Sequence, residues 1–350
     1  MAFSVSGQGG PERISIMRLH FRLGRQSTRF FLALGAVVLL VAPVRAAPGN
    51  QTHTDDTMLM FEDSWPVGGD NDFNDLVIRY NVMIERNAAG GLSRLVLRLT
   101  PLAHGATQRN GLALHVPIPA ATSHLARLHQ VGETPKLTDP VPGESELTFI
   151  LYQDVRDAFP GAQPGEFINT RSGEDRRSAR EIVLEIEFPS PLDLAVEAPF
   201  DIFIFHTDHY PHQIHLSDFG PTELGMADSA VADLFGSGDD CSDQVCVPEA
   251  GSSSDNLDRY YVNNRGIPWA LEFPGSSSWA QEGVPLKQGY PGLPQSLDVG
   301  GLMPDSWWLQ RNALYLFPIL AVPGLLPGGA LVLLSLMTGL GVWRLRQRLG

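Results

Sequence analysis

The sequence has little positive charge. It contains 25 lysine and arginine residues against 39 aspartate and glutamate residues, which gives a formal net charge of −14. Arginines are concentrated at the two ends, so the chain between them is more acidic still. Because a protein that binds nucleic acid needs basic groups to neutralise phosphates, nucleic acid is excluded as a partner. An acidic chain suits divalent cations, although solvated charge in a secreted protein is a commoner reason for acidity.

The common catalytic motifs are also missing. There is no G-x-S-x-G, no H-E-x-x-H, and no phosphate-binding glycine motif between a strand and a helix. A carboxylate pair such as Glu62 and Asp63 could serve a glycosidase, but the distance between two carboxylates across a site is not encoded in their spacing. We therefore expect a protein that is not an enzyme.

Outside its two ends the sequence has no stretch with a helical period and no internal repeat. From residue 58 onward apolar and polar residues alternate instead, which is typical of half-buried strands. Strands are predicted at 76–85, 92–99, 112–118, 147–153, 181–188 and 200–206. The pattern predicts an all-β fold over residues 57–312, either an antiparallel β-sandwich or a jelly-roll-like domain. Residues 274–308, rich in Gly, Pro and Ser, are predicted to wrap this domain.

Only two cysteines are present, Cys241 and Cys246, and they lie in a Gly/Ser/Asp-rich stretch at 236–255. We interpret this stretch as a loop inside the domain, with a linker as the alternative. Nothing nearby supplies the other two ligands of a structural zinc. In an exported chain the pair predicts a local disulfide, and two free thiols are the alternative.

The amino terminus has the features of a secretory signal peptide. Arginines precede an apolar run at 30–42, and Val44-Arg45-Ala46 offers a cleavage site. We assign residues 1–46 to this signal peptide, with Met17 as the expected true start. Residues 47–56 are interpreted as a short linker. The protein is therefore expected to be exported.

The carboxyl terminus predicts a transmembrane helix. Residues 321–343 carry no charged side chain, which is close to the about 20 apolar residues needed to cross a bilayer. The arginines that follow would hold the end of the chain in the cytoplasm, and a buried core helix is the alternative. The Val322-Pro323 entry, the apolar helix and the arginine tail resemble PEP-CTERM-type sorting signals, without the Pro-Glu-Pro triplet. The resemblance implies that a sorting enzyme of the exosortase type recognises residues 313–350, and plain membrane anchoring is equally consistent with them.

A loop of carboxylates precedes the first long strand. Hard cations such as Ca²⁺ prefer several oxygen ligands from a short segment, and alternate residues here can turn toward one point. The loop is not an EF-hand, because its sixth position is not glycine and its twelfth is not glutamate. The alternative is a polar loop in which Asp and Asn cap turns. The predicted calcium ligands are Asp63, Asp70, Asp72, Asn74 and Asp75, with Glu62, Asp239 and Asp240 as further candidates.

Four histidines recur at every third residue. They are His206, His209, His212 and His215. Such a cluster can bind zinc or another transition metal and serve a hydrolase. A three-residue period suits neither face of a strand, and Pro211 breaks any helix, so all four are not expected to converge. A metal-dependent hydrolase is thus the alternative function.

Several motifs together resemble the LruC-domain proteins, a group of secreted or surface-attached bacterial proteins with no established activity. F-E-D-x-W-P and G-D-x-D-F-N-D-L-V lie between residues 61 and 77. The distal motifs follow in the family's order, with Gln213 replacing the usual glutamate and the tryptophan expected after the closing A-Y-P segment missing. They are QIHL at 213–216, FGSGDD at 235–240, IPWALEFP at 267–274, GYP at 289–291 and DSWW at 305–308.

This resemblance implies an envelope protein that acts by binding or structure. Polysaccharide or envelope proteins are the expected partners, besides the membrane itself. Polysaccharide is suggested by Trp279, Trp307 and Trp308, which are interpreted as exposed, and by the sorting class that the carboxyl terminus resembles. A mechanical spacer or adhesin segment is a further alternative.

Overall fold

The computed structural model describes residues 50–194, 200–217, 219–241, 260–263, 265–293 and 307–317. Twelve strands are present in these ranges, and the helices are short. The strands are β1 (Gln51–His53), β2 (Thr57–Phe61), β3 (Leu76–Arg86), β4 (Leu92–Ala103), β5 (Asn110–Pro119), β6 (Leu125–Gln130), β7 (Lys136–Leu137), β8 (Glu146–Tyr152), β9 (Ile182–Leu192), β10 (Asp201–His206), β11 (His209–Ile214) and β12 (Ala270–Pro274). The α-helices are α1 (Glu223–Ala227), α2 (Ser229–Ala232) and α3 (Leu286–Gly289), and 3-10 turns occur at Val155–Ala158 and Trp307–Leu309.

The strands form two antiparallel sheets. The larger sheet has the order β12-β2-β3-β4-β9-β6-β7, with β1 also paired to β3. The smaller sheet has the order β11-β10-β5-β8. Every strand pair among the described residues is antiparallel. The prediction of an all-β antiparallel fold is confirmed, and the two sheets form a sandwich.

The main core lies between the two sheets. It contains Ile78 and Leu97 from the larger sheet and Leu114, Phe149 and Ile202 from the smaller one, all buried. This arrangement follows from the alternation in the sequence, because successive residues of a strand point to opposite faces. In β9 the apolar residues are buried, while the glutamates between them face outward and pair with arginines of β4 and β6. Burial of one face of each strand is the main stabilising term.

A second core covers the outer face of the larger sheet. Met60 and Phe273 of that sheet pack there with Trp279, Tyr290 and Phe317. The described part of 274–308 therefore packs against the domain with little regular structure, as predicted for that stretch, and the second core also includes Leu316 and Phe317. One consequence contradicts the sequence interpretation: Trp279 is 1% exposed, so it is not available to stack on a polysaccharide.

Packed structure extends past two of the predicted domain boundaries. The expected linker at 47–56 contains β1, which pairs with β3. Beyond residue 312, Leu316 bridges to Ala280, and Phe317 stacks on Trp279 with ring centroids 5.4 Å apart. Packing contacts thus occur outside the predicted bounds of 57 and 312, at segments where the sequence pattern is too brief to indicate pairing.

Several predictions concern residues that the structure does not describe. The signal peptide at 1–46, the apolar segment at 321–343, Cys246 and most of the loop at 236–255 lie outside the described residues. Within the described ranges, no helix has the length and apolar character needed to cross a membrane. Cys241 is buried and disulfide-bonded.

Candidate metal site

Residues 62–75 form the loop that joins β2 to β3. These two strands are adjacent and antiparallel, with Phe61 opposite Leu76, so the sheet fixes both ends of the loop. Phe61 and Leu76 are themselves fully buried. A loop that is anchored in this way can hold several side chains at one point, which a metal site requires.

Three carboxylates of this loop converge. Glu62, Asp70 and Asp72 each offer one oxygen atom, and these three atoms lie within 4.8 Å of one another. Glu62 and Asp72 are buried, with 3% and 2% of their surface exposed, whereas Asp70 is exposed. A set of oxygen atoms from two buried carboxylates and one exposed carboxylate is the kind of ligand set that a hard cation prefers.

The backbone of the loop turns these side chains inward. Asn71 and Phe73 have left-handed conformations, with φ of 61° and 55°. Asparagine tolerates this region, but an aromatic residue rarely adopts it. Phe73 is held there by burial of its ring in the second core and by its N–H, which donates to Glu62 Oε1 at 2.6 Å. The turn thereby fixes Glu62 and places Asp72 between two left-handed residues.

Backbone groups hold Asp72 on both of its oxygens. The N–H of Asn74 donates to Oδ1 at 3.0 Å, and the N–H of Gly283 donates to Oδ2 at 2.7 Å. Gly69 is needed close by, because a side chain at that position would collide with the Glu62 carboxylate. The site is therefore built from local turn geometry and from one distant segment.

Crowding and burial make these carboxylates difficult to ionise. Burial raises the pKa of Asp72 from 3.8 to about 7, and the charge of Asp70 adds to this. Burial, followed by the charge of Asp72, raises the pKa of Glu62 well above its ordinary value. Burial also raises the pKa of Asp75, with the charges of Asp63 and Glu62 as further causes. A bound cation would compensate this repulsion.

A pH dependence follows for the protein in chelating buffer. Since the folded pKa of Asp72 is above its unfolded value, its contribution to stability is present at acidic pH and lost as pH rises through about 7. We expect the melting temperature to fall by roughly 5 °C more between pH 5 and 8 in the wild type than in Asp72→Asn. Differential scanning calorimetry of both proteins measures this, and parallel curves would contradict it.

The other predicted calcium ligands brace the loop instead of joining the three carboxylates. The N–H of Asp63 donates to Asp75 Oδ2 at 2.8 Å, and Asp63 Oδ2 accepts from Asn110 Nδ2 at 2.8 Å. Asn74 donates from Nδ2 to the carbonyl of Ala280 at 3.3 Å. Of the five predicted ligands, the structure thus brings Asp70 and Asp72 together with Glu62.

Asp239 and Asp240 contact the same loop from another side. Asp239 Oδ2 accepts from the N–H of Gly68 at 2.8 Å, and Asp240 Oδ2 accepts from the indole Nε1 of Trp65 at 2.7 Å. These two carboxylates hold the loop through its backbone and its tryptophan. They are anchors of the loop, and the convergent group does not include them.

The four histidines do not converge. His206 and His212 stack with ring centroids 3.9 Å apart, and burial lowers the pKa of both, that of His212 to about 4. His209 pairs at the surface with Asp228 at 3.0 Å. His215 is fully buried, where its ring stacks on Phe203. The separation follows from the β10–β11 hairpin: His206 ends β10, His209 and His212 are three residues apart on β11 and so face opposite ways, and His215 follows the end of β11.

His215 belongs to a buried polar network. Its Nδ1 lies 2.8 Å from Asp201 Oδ1, and Nδ1 of His115 lies 3.0 Å from Asp201 Oδ2. His115 also contacts Glu146 at 2.8 Å through Nε2. Burial opposes the ionisation of Asp201, but the two imidazoles hold its pKa below the ordinary value. The network joins β5, β8, β10 and the segment after β11.

Comparison with known proteins identifies the family. A family described as a domain of unknown function, DUF4842, matches residues 90–308. The chain belongs to the DUF4842 family. No curated protein matches it. The crystal structure of a "Putative lipoprotein" from Bacteroides ovatus is similar in fold, with a TM-score of 0.55, 16% identity, and coverage of 77% of this chain and 76% of that chain.

The DUF4842 match begins after the carboxylate loop and contains the segment that closes over it. That segment supplies Gly283, whose N–H binds Asp72, and Glu282 beside it. Burial raises the pKa of Glu282, and the charge of Asp70 adds to the shift. Sequence reasoning missed Glu282, because no local pattern marks it and 211 positions separate Gly283 from Asp72.

Proposed function

We propose that this member of the DUF4842 family is an exported protein of the bacterial cell envelope with a calcium-stabilised β domain, of the LruC type. It acts by binding or as a structural component and has no catalytic role. The LruC assignment is supported by the order of the sequence motifs from residue 61 to residue 308. The calcium is a structural ion, and the domain it orders carries the interaction.

The convergence of Glu62, Asp70 and Asp72 supports the ion more than any other observation. Three carboxylates within 4.8 Å repel one another, and two of them are buried, so an opposite charge stabilises the arrangement. Without such a charge the loop would hold protons at neutral pH, as the raised pKa values of Glu62 and Asp72 indicate.

The chemistry of these ligands favours calcium over the transition metals. Zinc prefers nitrogen and sulfur, whereas all three convergent groups are carboxylates. Magnesium requires a near-ideal octahedron, whereas calcium accepts irregular sets of oxygen atoms from a loop. The hydrolase alternative has weaker support, because the histidines it would use are engaged in stacking, in an ion pair and in the buried network.

An envelope location is supported by both ends of the sequence. The basic and apolar residues before Ala46 favour export, and the apolar residues 321–343 with their arginine tail favour a membrane anchor or a segment for a sorting enzyme. The similar fold of a protein described as a lipoprotein agrees with this location. Polysaccharide and envelope proteins are the proposed partners.

Metal analysis of the protein purified from the envelope fraction tests the proposal. The full-length chain, dialysed against trace calcium and zinc, is expected to retain calcium and not zinc. The variant with Glu62→Gln, Asp70→Asn and Asp72→Asn is expected to lose the calcium held by these three residues and to bind no zinc. Recovery of zinc would support the histidine-dependent alternative, and recovery of the chain outside the envelope fraction would contradict the location.

A further inference from the structure

Side-chain oxygen atoms of Asn74 and Glu282 lie close together beside Gly105, just after β4. A Cβ at this position would collide with Asn74 Oδ1 and would lie 3.0 Å from Glu282 Oε2. Glycine at position 105 therefore lets an amide oxygen and a carboxylate oxygen approach one point that a side chain would otherwise occupy. Glu282 does not belong to the convergent group formed by Glu62, Asp70 and Asp72.

Neither of these two oxygens has a hydrogen-bond donor among the described residues. Asn74 is fully buried, and the orientation of its amide is set by Nδ2, which donates to the carbonyl of Ala280. Its Oδ1 therefore lies against Gly105 as an unpaired acceptor. A buried acceptor without a partner is costly, so these two oxygens call for a ligand that satisfies both of them.

Further oxygens and charges around these two atoms favour a cation as that ligand. The backbone oxygen of Asn74 would lie 2.9 Å from a Cβ at Gly105, and the buried hydroxyl of Thr170 is adjacent to the Glu282 side chain. The charge of Asp70 raises the pKa of Glu282, and the charge of Glu282 raises the pKa of Asp72. The net charge of the region is strongly negative, and amide, carboxylate, carbonyl and hydroxyl oxygens are ligands of calcium.

We propose that Asn74 and Glu282 form a second calcium position beside the first, a proposal that rests on the calcium site of the proposed function. Asn74 belongs to the loop that carries the first ion, whereas Glu282 belongs to the segment at 279–290, which packs in the second core. An ion held by both fastens that segment to the loop.

The surrounding contacts show why the segment responds to this ion. The N–H of Glu282 donates to the carbonyl of Thr170 at 2.9 Å, and the N–H of Leu286 donates to the carbonyl of Asn71 at 2.8 Å. The second of these bonds reaches the loop, and two more do so through loop side chains: the N–H of Gly283 donates to Asp72 Oδ2, and Asn74 Nδ2 donates to the carbonyl of Ala280. In all of these bonds the segment contributes only backbone groups. The second ion adds a side-chain connection, so the exchange of amide protons in 279–290 depends on calcium.

Counting bound calcium on the full-length protein tests the proposal. Flow dialysis is expected to find two ions per wild-type chain and one ion in Glu282→Gln. Glu174→Gln removes an exposed neighbouring charge that acts on Glu282 without removing a ligand, and it is expected to keep both ions. Hydrogen exchange at 279–290 is expected to slow about tenfold on adding calcium in the wild type and in Glu174→Gln, and not in Glu282→Gln.

The outcomes separate this proposal from the first calcium site. One ion in the wild type, or two ions in Glu282→Gln, would overturn the second position and leave the proposed function intact. A water molecule bound to Asn74 and Glu282 in place of an ion would give the former result. No bound calcium in the wild type would overturn both proposals.

Discussion

Millimolar calcium is expected to raise the melting temperature of the chelated protein by roughly 10 °C at neutral pH. A ligand at about a thousand times its dissociation constant stabilises the folded state by about 4 kcal/mol, and each kcal/mol shifts a domain of this size by about 2–4 °C. The physical reason is that the ion relieves the repulsion among Glu62, Asp70 and Asp72, two of which are buried.

Asp72→Asn is expected to remove most of this increase, because it replaces a charged ligand by a neutral one of the same shape. In chelator the variant should be at least as stable as the wild type, since the substitution removes a buried charge. Asp239→Asn is the matched control, because Asp239 binds the same loop at Gly68 but lies outside the convergent group. Calcium should therefore still raise the melting temperature of this variant. If Asp72→Asn lost the same amount of stability with calcium and with chelator, Asp72 would not be a calcium ligand.

Asp201→Ala is expected to destabilise the protein by about 3–5 kcal/mol, a fall of roughly 6–20 °C in melting temperature. Asp201 is 3% exposed and accepts contacts from His115 and His215 on its two oxygens. Removal of the carboxylate leaves the Nδ1 atoms of two imidazoles without their partner, and the ring of His215 is fully buried. Urea unfolding monitored by circular dichroism measures the loss.

His209→Ala provides the comparison, because it breaks a histidine–aspartate contact of the same length at the surface. His209 lies 3.0 Å from Asp228, with side chains 47% and 28% exposed. An exposed pair of this kind contributes about 0–1 kcal/mol, so this variant should remain close to the wild type. Similar losses for the two variants would show that burial of the network is not what makes Asp201 important.

The strands show how much of the fold the local sequence pattern predicts. The predicted segments at 112–118 and 147–153 correspond to β5 and β8, with boundaries that differ by one or two residues. The strands that were missed are β1, β2, β6, β7, β11 and β12. β11 contains Pro211 and lies at the edge of the smaller sheet, where proline is tolerated because no neighbouring strand requires its N–H. A proline that indicates a break in sequence is therefore compatible with a strand once the position in the sheet is known.

The metal site was also predicted only in part from the sequence. Asp70 and Asp72 were predicted because alternate residues of a short loop can turn toward one point. Asp63 and Asp75 are also aspartates of this loop at similar spacing. They do not join the convergent group, because Asp63 N–H donates to Asp75 and Asp63 accepts from Asn110. Which carboxylates converge depends on the left-handed turns at Asn71 and Phe73, and Phe73 adopts its conformation only because the second core receives its ring.

The sequence by itself determined the all-β antiparallel fold, the acidic loop before β3 and the wrapping of the domain by its carboxyl-terminal region, because each is encoded in consecutive residues as a period, a spacing or a composition. Only the tertiary structure decided that Glu62 joins Asp70 and Asp72, that Glu282 lies beside them and that the four histidines separate. These outcomes depend on how distant segments pack, and no local pattern carries that information.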